Sequence, residues 1–374
     1  MANPKYRVAI IGRTGKGDYG HGIDMVWRAV GQADVVAVAD ENERGRAAAV
    51  AKTGARQGYA DYREMLDKER PHLVAVGPRW LDQHHAMLMA CAEFSCHVFM
   101  EKPFCRTLEE ADQIVRAFEM RHLKLAIAHQ TRYSPVLVTA KKLLRDGAIG
   151  QLLEARARCK EDARGGGEDF WVLGSHLMDL LRALFGDPAS CSAAVTVRGK
   201  PAGRADVYDG HEGIGPLAGD AVEAAYAFST AVTHPLTAYV ATRRNMAGNP
   251  SRYGLQVFGS KGILEMTPGY LNPGQILRDP SWSPGRSGAR WVPFTSAGIG
   301  KPEPLQGQGL EAGNVAAVLD LIASIESDRQ PKCSVYDARF TVEMIAAAFE
   351  SHRLRTPVAF PLKNRKNPLT LLES

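Results

Sequence analysis

The first 130 residues alternate between short, continuously apolar runs and segments of helical character, and no other feature narrows the fold so far. The runs are Arg7–Gly12 (RVAIIG), Val35–Asp40 (VVAVAD), Leu73–Gly77 (LVAVG), His97–Met100 (HVFM) and Leu123–His129 (LKLAIAH). They lack the apolar–polar alternation of a strand with one wet face. Strands apolar on both sides are buried on both sides, as in a parallel sheet covered by helices. Helices are expected between them, over Met25–Gln32, Glu41–Gly54, Tyr62–Glu69, His84–Phe94 and Leu108–His122. Residues 1–130 therefore read as a doubly wound α/β domain.

Beyond residue 130 the pattern changes. A helix is expected over Pro135–Asp146. Strands follow over Leu152–Lys160, Ala189–Val197, Ala221–Ser229, Leu236–Thr242, Gly254–Phe258 and Gly262–Met266, and several alternate, as in AVEAAYAFS. One helix, His176–Gly186, interrupts them. Runs of one-faced strands point to a separate α+β domain over 131–374, built on a largely antiparallel sheet. Thr267–Gly309 is rich in glycine and proline and reads as a long loop, with Trp282, Trp291 and Phe294 available to cover an active site or a subunit contact. Helices near Asn314–Glu326 and Val335–His352 close the chain.

A length of 374 residues supplies two cores without disulfides or metal. The balance of 46 basic and 41 acidic residues, a net charge of +5, contains no basic block and gives no nucleic-acid footprint. The six cysteines, Cys91, Cys96, Cys105, Cys159, Cys191 and Cys333, form no CxxC pair and no cysteine–histidine zinc spacing. They read as reduced thiols of a cytoplasmic protein, with no metal expected. No apolar run approaches the roughly 18 residues needed to span a bilayer, and no apolar signal segment precedes the first strand.

The first strand ends at Gly12 and leads into Arg13, Thr14, Gly15, Lys16, Gly17, Asp18, Tyr19 and Gly20. G-x-G-x-x-G occurs at Gly15, Gly17 and Gly20, with Gly12 expected to make the tight turn. Between a strand and a helix, such a loop lets backbone approach a pyrophosphate, and the helix N-terminus supplies donors. Asp40 ends the second strand, where a carboxylate accepts a ribose diol and repels a 2′-phosphate, favouring NAD over NADP. Arg13 and Arg44 are the residues that would instead accommodate that phosphate. Glu101-Lys102-Pro103 follows the fourth strand, at the sheet edge where ligands sit. Position alone leaves Lys102 either a polar contact to a reacting group or a surface lysine paired with Glu101.

Taken in order, VVAVAD, LVAVGP, HVFMEKPFCRT, LKLAIAHQTRYSP and GAIGQLLEARAR resemble the Gfo/Idh/MocA oxidoreductases, from Lys5 to about Met266. The resemblance implies an N-terminal Rossmann domain and a C-terminal domain with a large open sheet. It implies NAD(P)-linked oxidation or reduction of a secondary hydroxyl on a sugar, glycoside or cyclitol. Lys102 then contacts cofactor and substrate, with Glu101 and Pro103 shaping its turn. The family motif D-x-G-x-H-x-x-D reads here as Val172 to Asp179, so His176 takes the role of general base, Asp179 orients helix or ring, and Val172 replaces the first aspartate. Arg132 and Tyr133 match a pair lining the family site. Pro78, Arg79 and Trp80 stand at the family's P-N step, and its histidine aligns with His85; all four are expected at the cofactor. The segment Lys160–Trp171 (KEDARGGGEDFW) offers Lys160, Asp162, Asp169 and Trp171 as substrate contacts, with carboxylates for hydroxyls and a ring for a sugar face. Glu161, Asp162, Glu168 and Asp169 are candidates to replace the missing aspartate. The resemblance implies a homodimer or homotetramer. Two other outcomes stay open: glycoside cleavage by transient oxidation and elimination, and a non-catalytic dinucleotide-binding regulator.

Overall fold

The computed structural model describes residues 6–229, 235–307 and 309–373; Lys5, where the resemblance begins, and Gln308 lie outside the described residues. The chain divides into two units. In the first, six strands lie in the order β3-β2-β1-β4-β5-β6. They are Tyr6–Ile11 (β1), Ala33–Ala39 (β2), Gln57–Tyr59 (β3), Leu73–Val76 (β4), His97–Met100 (β5) and Leu125–Ile127 (β6). Every adjacent pair is parallel. Strand order reverses between β1 and β4, and the crevice beyond the carboxyl ends of those strands is where doubly wound sheets bind ligands.

Three of the helices in this unit start where short polar side chains cap them. Asn42 accepts from Gly45 N at the start of Glu43–Thr53 (α1), and Gly54 ends that helix in the left-handed conformation. Asp61 caps Tyr62–Glu69 (α2) and Thr107 caps Leu108–Glu119 (α4). Between these, His84–Glu93 forms α3. The helix expected over Met25–Gln32 is absent. One 3-10 turn, Val26–Ala29, stands there, and Val30 ends it in extended backbone. The glycine loop is thus not followed by an α-helix whose N-terminus could face a phosphate.

The boundary near residue 130 coincides with a unit boundary, but 131–374 is not one body. Gly210–Gly215 and Leu310–Val342 belong to the first unit. The second of these segments is tied in by backbone: Ile127 N donates to Cys333 O at 3.1 Å, and Ser334 bridges Ala126. Helix periodicity carries no information about which sheet a distant helix covers.

In the second unit a sheet runs, from one edge, through Gly298–Ile299, Trp291–Thr295, Gly274–Leu277, Gly262–Met266, Gly254–Gly259, Leu152–Arg158, Leu236–Arg243, Ala221–Phe228, Ser190–Val197 and Val358–Ala359. Lys200–Pro201 adds to it beside Ser190–Val197. Leu236–Arg243 pairs in parallel with Leu152–Arg158, and the other described pairs are antiparallel. Leu236–Arg243 alternates buried and accessible residues along its length, so one face of the sheet is covered. Thr267–Gly309 is not a loop: it supplies three edge strands and the short helix Pro284–Ser287. Phe294 is fully buried, and Trp282 packs on Phe258 at 5.1 Å while its Nε1 donates to Gly259 O. Trp282 and Trp291 pack against a small core of Phe258, Ile263 and Leu277. These contacts lie within their own unit.

All six cysteines are free and buried. Burial pushes the thiols of Cys91, Cys105 and Cys159 well up, which keeps them un-ionised and unreactive.

Candidate active site

The turn after β5 carries Glu101 and Lys102, both buried. Glu101 holds the end of the glycine loop: its Oε1 lies 2.8 Å from His21 Nδ1 and its Oε2 accepts from His21 N at 3.2 Å. Asn314 Nδ2 donates to His21 O, and Gln130 Nε2 donates to Asn314 Oδ1. The loop, the Glu-Lys-Pro turn and a C-terminal helix are thereby braced together within the first unit. Burial would raise the Glu101 carboxyl, but the His21 hydrogen bond and the charge of Lys102 outweigh it and hold the group below its ordinary 4.5. A depressed carboxyl contributes stability that is present above the unfolded value and lost as pH falls through the folded one. Wild type should therefore exceed Glu101→Gln in melting temperature at neutral pH, and the gap should close below about pH 4. Melting curves of both proteins across that range check this; a gap independent of pH would contradict it.

His84, and not His85, reaches the Glu-Lys-Pro turn. Its Nε2 faces Pro78 O at 2.7 Å and its Nδ1 faces Pro103 O and Phe104 O. The ring ties the end of β4 to the turn after β5. His85 lies beside it on α3 with its Nε2 buried and unpartnered among the described residues. Arg79 and Trp80 pack on the glycine loop through backbone: Arg79 N donates to Gly17 O, and a Cβ on Gly17 would fall 2.3 Å from Arg79 N. Gly20 is equally confined, with Gly77 O 2.5 Å from a would-be Cβ. These two glycines serve chain-on-chain approach at positive φ.

Asp40 sits at the end of β2 as expected, but it is buried and its oxygens accept from Thr14, Tyr19 and Asn42. Arg13 is committed to both oxygens of Asp82, at 2.8 and 2.7 Å, and so is not free for a 2′-phosphate. Arg44 is exposed in the first turn of α1. Gly15 has open space around its Cβ position, at the tip of the loop.

In the second unit, Gly167–Val172 (α6) and Gly174–Phe185 (α7) follow one another across Leu173. His176 is the third residue of α7 and half-buried. Asp179, one turn on, is buried and clamped by Arg132, whose Nη2 donates to Oδ1 at 2.6 Å and whose Nε donates to Oδ2 at 3.2 Å. Tyr133 is buried beside Arg132 in sequence. This pair fixes α7, so Asp179 acts on the helix through Arg132.

The charged segment before α7 departs from the expected sugar-binding loop. Trp171 is buried and stacked on Phe349, at 6.4 Å and 26°, which leaves no ring face for a sugar; its Nε1 has no partner among the described residues. Asp169 is fully buried, accepting from Thr242 Oγ1 at 2.7 Å and from Glu161 N at 2.9 Å. Burial raises its carboxyl. Glu161 is held by Arg252 Nη2 at 2.9 Å and by Arg158. Glu168 is buried too. Asp162 caps Arg164 N, and exposed Lys160 lies over Tyr253. Gly165, Gly166 and Gly167 explain the burial: a Cβ on any of them would fall 2.3–2.4 Å from backbone of Ala218, Gly219 or Arg244, which flank the sheet strands. The glycines let this segment press flat on the sheet.

A doubly wound parallel sheet with a glycine loop after its first strand and an acid ending its second defines a dinucleotide-binding α/β protein. Residues 6–129 match the model of the oxidoreductase family with an NAD-binding Rossmann fold, and residues 137–265 match the GFO/IDH/MocA C-terminal domain. The chain belongs to the Gfo/Idh/MocA oxidoreductase family. It is 32% identical over 181 residues to a D-apiose dehydrogenase of Paraburkholderia graminis, covering 46% of this chain and 48% of that protein. It is 30% identical over 138 residues to the scyllo-inositol 2-dehydrogenase (NADP(+)) IolW of Bacillus subtilis, covering 33% and 38%. The chain thus spans about half the length, or less, of the curated relatives it matches. The same fold is seen in levoglucosan dehydrogenase complexed with NADH and levoglucosan, with TM-score 0.72, 21% identity, and 95% and 99% of the two chains covered. An Agrobacterium radiobacter oxidoreductase solved with NAD+, L-tartaric acid and magnesium shares it too, at TM-score 0.70, 18% identity, and coverage of 95% and 98%.

The donor set at Asp40 fits the adenosine end of a dinucleotide. Two hydroxyls, from Thr14 and Tyr19, lie on its carboxylate as a ribose diol would. Tyr19, His21, His84 and Asn314 were not singled out from sequence. For His21 the available signal was its place directly after Gly20; for Asn314 there was none.

Proposed function

We infer that the protein is a nicotinamide-dependent dehydrogenase acting on a secondary hydroxyl of a neutral sugar, glycoside or cyclitol. The observation that carries this reading is Lys102, buried at the carboxyl end of β5 in a turn braced by Glu101, His21 and His84. The bound nicotinamide supplies a two-electron acceptor. Asp40 would hold its adenosine ribose, while Lys102 and the loop ending at His21 would bind its other half. His176 takes the proton of the reacting hydroxyl at an imidazole nitrogen, and Lys102 stabilises the alkoxide that develops. Arg132 and Asp179 keep α7, and with it His176, in place.

The relatives named for apiose, scyllo-inositol and levoglucosan support a polyol substrate. Cleavage by oxidation and elimination needs a further acid or base, and the ion pair of buried Glu161 and the hydrogen bonds of buried Asp169 count against it. A regulatory role is disfavoured by the presence of both Lys102 and His176. We extend the reading to a cytoplasmic homodimer or homotetramer joined through the sheet face that exposes Tyr239, Arg156 and Glu223. No helix among the described residues is long and apolar enough to cross a membrane.

The test is a panel of sugars, glycosides and cyclitols assayed with NAD and with NADP, following nicotinamide absorbance and identifying products. The expected result is accumulation of reduced cofactor and a keto product from at least one polyol. Glycoside cleavage without reduced cofactor would favour elimination instead.

A further inference from the structure

The acid expected to receive the ribose already accepts from four donors of its own chain. Asp40 Oδ2 takes Thr14 N at 3.0 Å, Thr14 Oγ1 at 2.7 Å and the Tyr19 hydroxyl at 2.9 Å, while Oδ1 takes Asn42 N at 2.9 Å. A carboxylate offers about four acceptor positions, and Asp40 is only 2% exposed. The Tyr19 ring completes the closure by lying over Gly12, where a Cβ would fall 2.0 Å from Cε1. The cleft beside it, lined by Gly12, Asp40, Ala60, Tyr62, Gln83 and Met87 among others, encloses about 20 Å³. That is room for about one water and none for a nucleoside.

We propose that the Thr14 and Tyr19 hydroxyls stand in for the ribose diol in the free protein, and that a dinucleotide binds by displacing Tyr19 from Asp40. Tyr19 is then a determinant of cofactor recognition beyond the glycines and the acid. The proposal rests on the reading of Asp40 as the ribose acceptor and deepens it. Burial and the Asp40 carboxylate both push the Tyr19 phenol up, so it remains a hydroxyl donor at any physiological pH.

The loop is held closed by more than this one bond, so loss of the hydroxyl does not dismantle it. Arg13 and Asp18 exchange backbone hydrogen bonds at 3.0 Å, and Gly15 N donates to Asp18 Oδ1 at 2.8 Å. Arg13 is anchored on Asp82. Tyr19→Phe therefore keeps ring and loop while removing the competitor for the carboxylate. With Arg13 engaged, the opened subsite presents a carboxylate to the 2′ position, which favours a free diol over a phosphate.

Binding to a state that is only a fraction of the population is weakened by that fraction. Tyr19→Phe raises the open fraction and is expected to bind NAD about tenfold more tightly, the factor that 1.4 kcal/mol represents, through faster association. Stopped-flow mixing of the full-length protein with NADH, followed by cofactor fluorescence, reads this for wild type, Tyr19→Phe and Thr14→Val. Asp40→Asn in the Tyr19→Phe background is expected to weaken binding again. Equal or weaker binding by Tyr19→Phe, with association unchanged, would overturn the proposal while leaving the cofactor reading intact. So would an Asp40→Asn change without effect. If wild type and all variants melt cooperatively yet bind neither NADH nor NADPH, the cofactor reading fails, and the proposal with it.

Discussion

His176→Ala is expected to lower turnover by about 10²–10⁴-fold, the range for loss of a general base, and to leave affinity for NAD unchanged. The asymmetry follows from where the residue sits. His176 lies in the first turn of α7, in the second unit, whereas Asp40, the glycine loop and the Glu-Lys-Pro turn all belong to the first. Its imidazole is half-buried, so it can meet substrate and exchange its proton. A loss in kcat and kcat/KM alike, with NAD affinity by titration equal to wild type, marks a residue that serves the reacting hydroxyl. Full turnover in the variant would remove His176 from the mechanism and reopen the assignment of the base.

The second large effect concerns stability. Asp179→Ala removes the carboxylate that takes two donors of the Arg132 guanidinium, itself only 13% exposed. Removing one member of such a buried pair costs about 3–5 kcal/mol. For a unit of roughly 200 residues that corresponds to a fall of about 6–20 °C in melting temperature. Calorimetry should place the loss in the transition of the second unit. Arg132→Met combined with Asp179→Leu should recover a substantial part of it, since both members of the pair are then removed together. A single variant that melts with wild type would show that α7 does not depend on this pair.

The parallel sheet was legible because its strands are apolar on both faces, and the alternation in Leu236–Arg243 was legible for the opposite reason. What escaped was what glycine and charge do in context. Gly17 and Gly20 match a phosphate-binding string, yet in space they admit the chain's own backbone, which no spacing rule distinguishes from a ligand. Gly165–Gly167 look like a flexible approach to the site and are a close contact against the backbone of Ala218, Gly219 and Arg244. That contact buries Asp169 and Trp171, so composition suggested a sugar-binding surface where the fold makes a core. Thr267–Gly309 lacks helix signals, but short strands near a sheet edge, such as Trp291–Thr295, need few residues. The Asp179–Arg132 clamp and the His21–Glu101 brace join residues 47 and 80 positions apart, beyond the reach of any local pattern.

The most direct test of the central claim follows one hydrogen. A substrate found in the polyol panel, carrying deuterium on the carbon to be oxidised, is turned over with NAD, and the reduced nicotinamide is isolated. The account predicts deuterium at C4 of the nicotinamide, a slower rate than with the unlabelled compound, and no transfer by His176→Ala or Lys102→Met within the same time. Deuterium released to solvent, with the nicotinamide unlabelled, would contradict it.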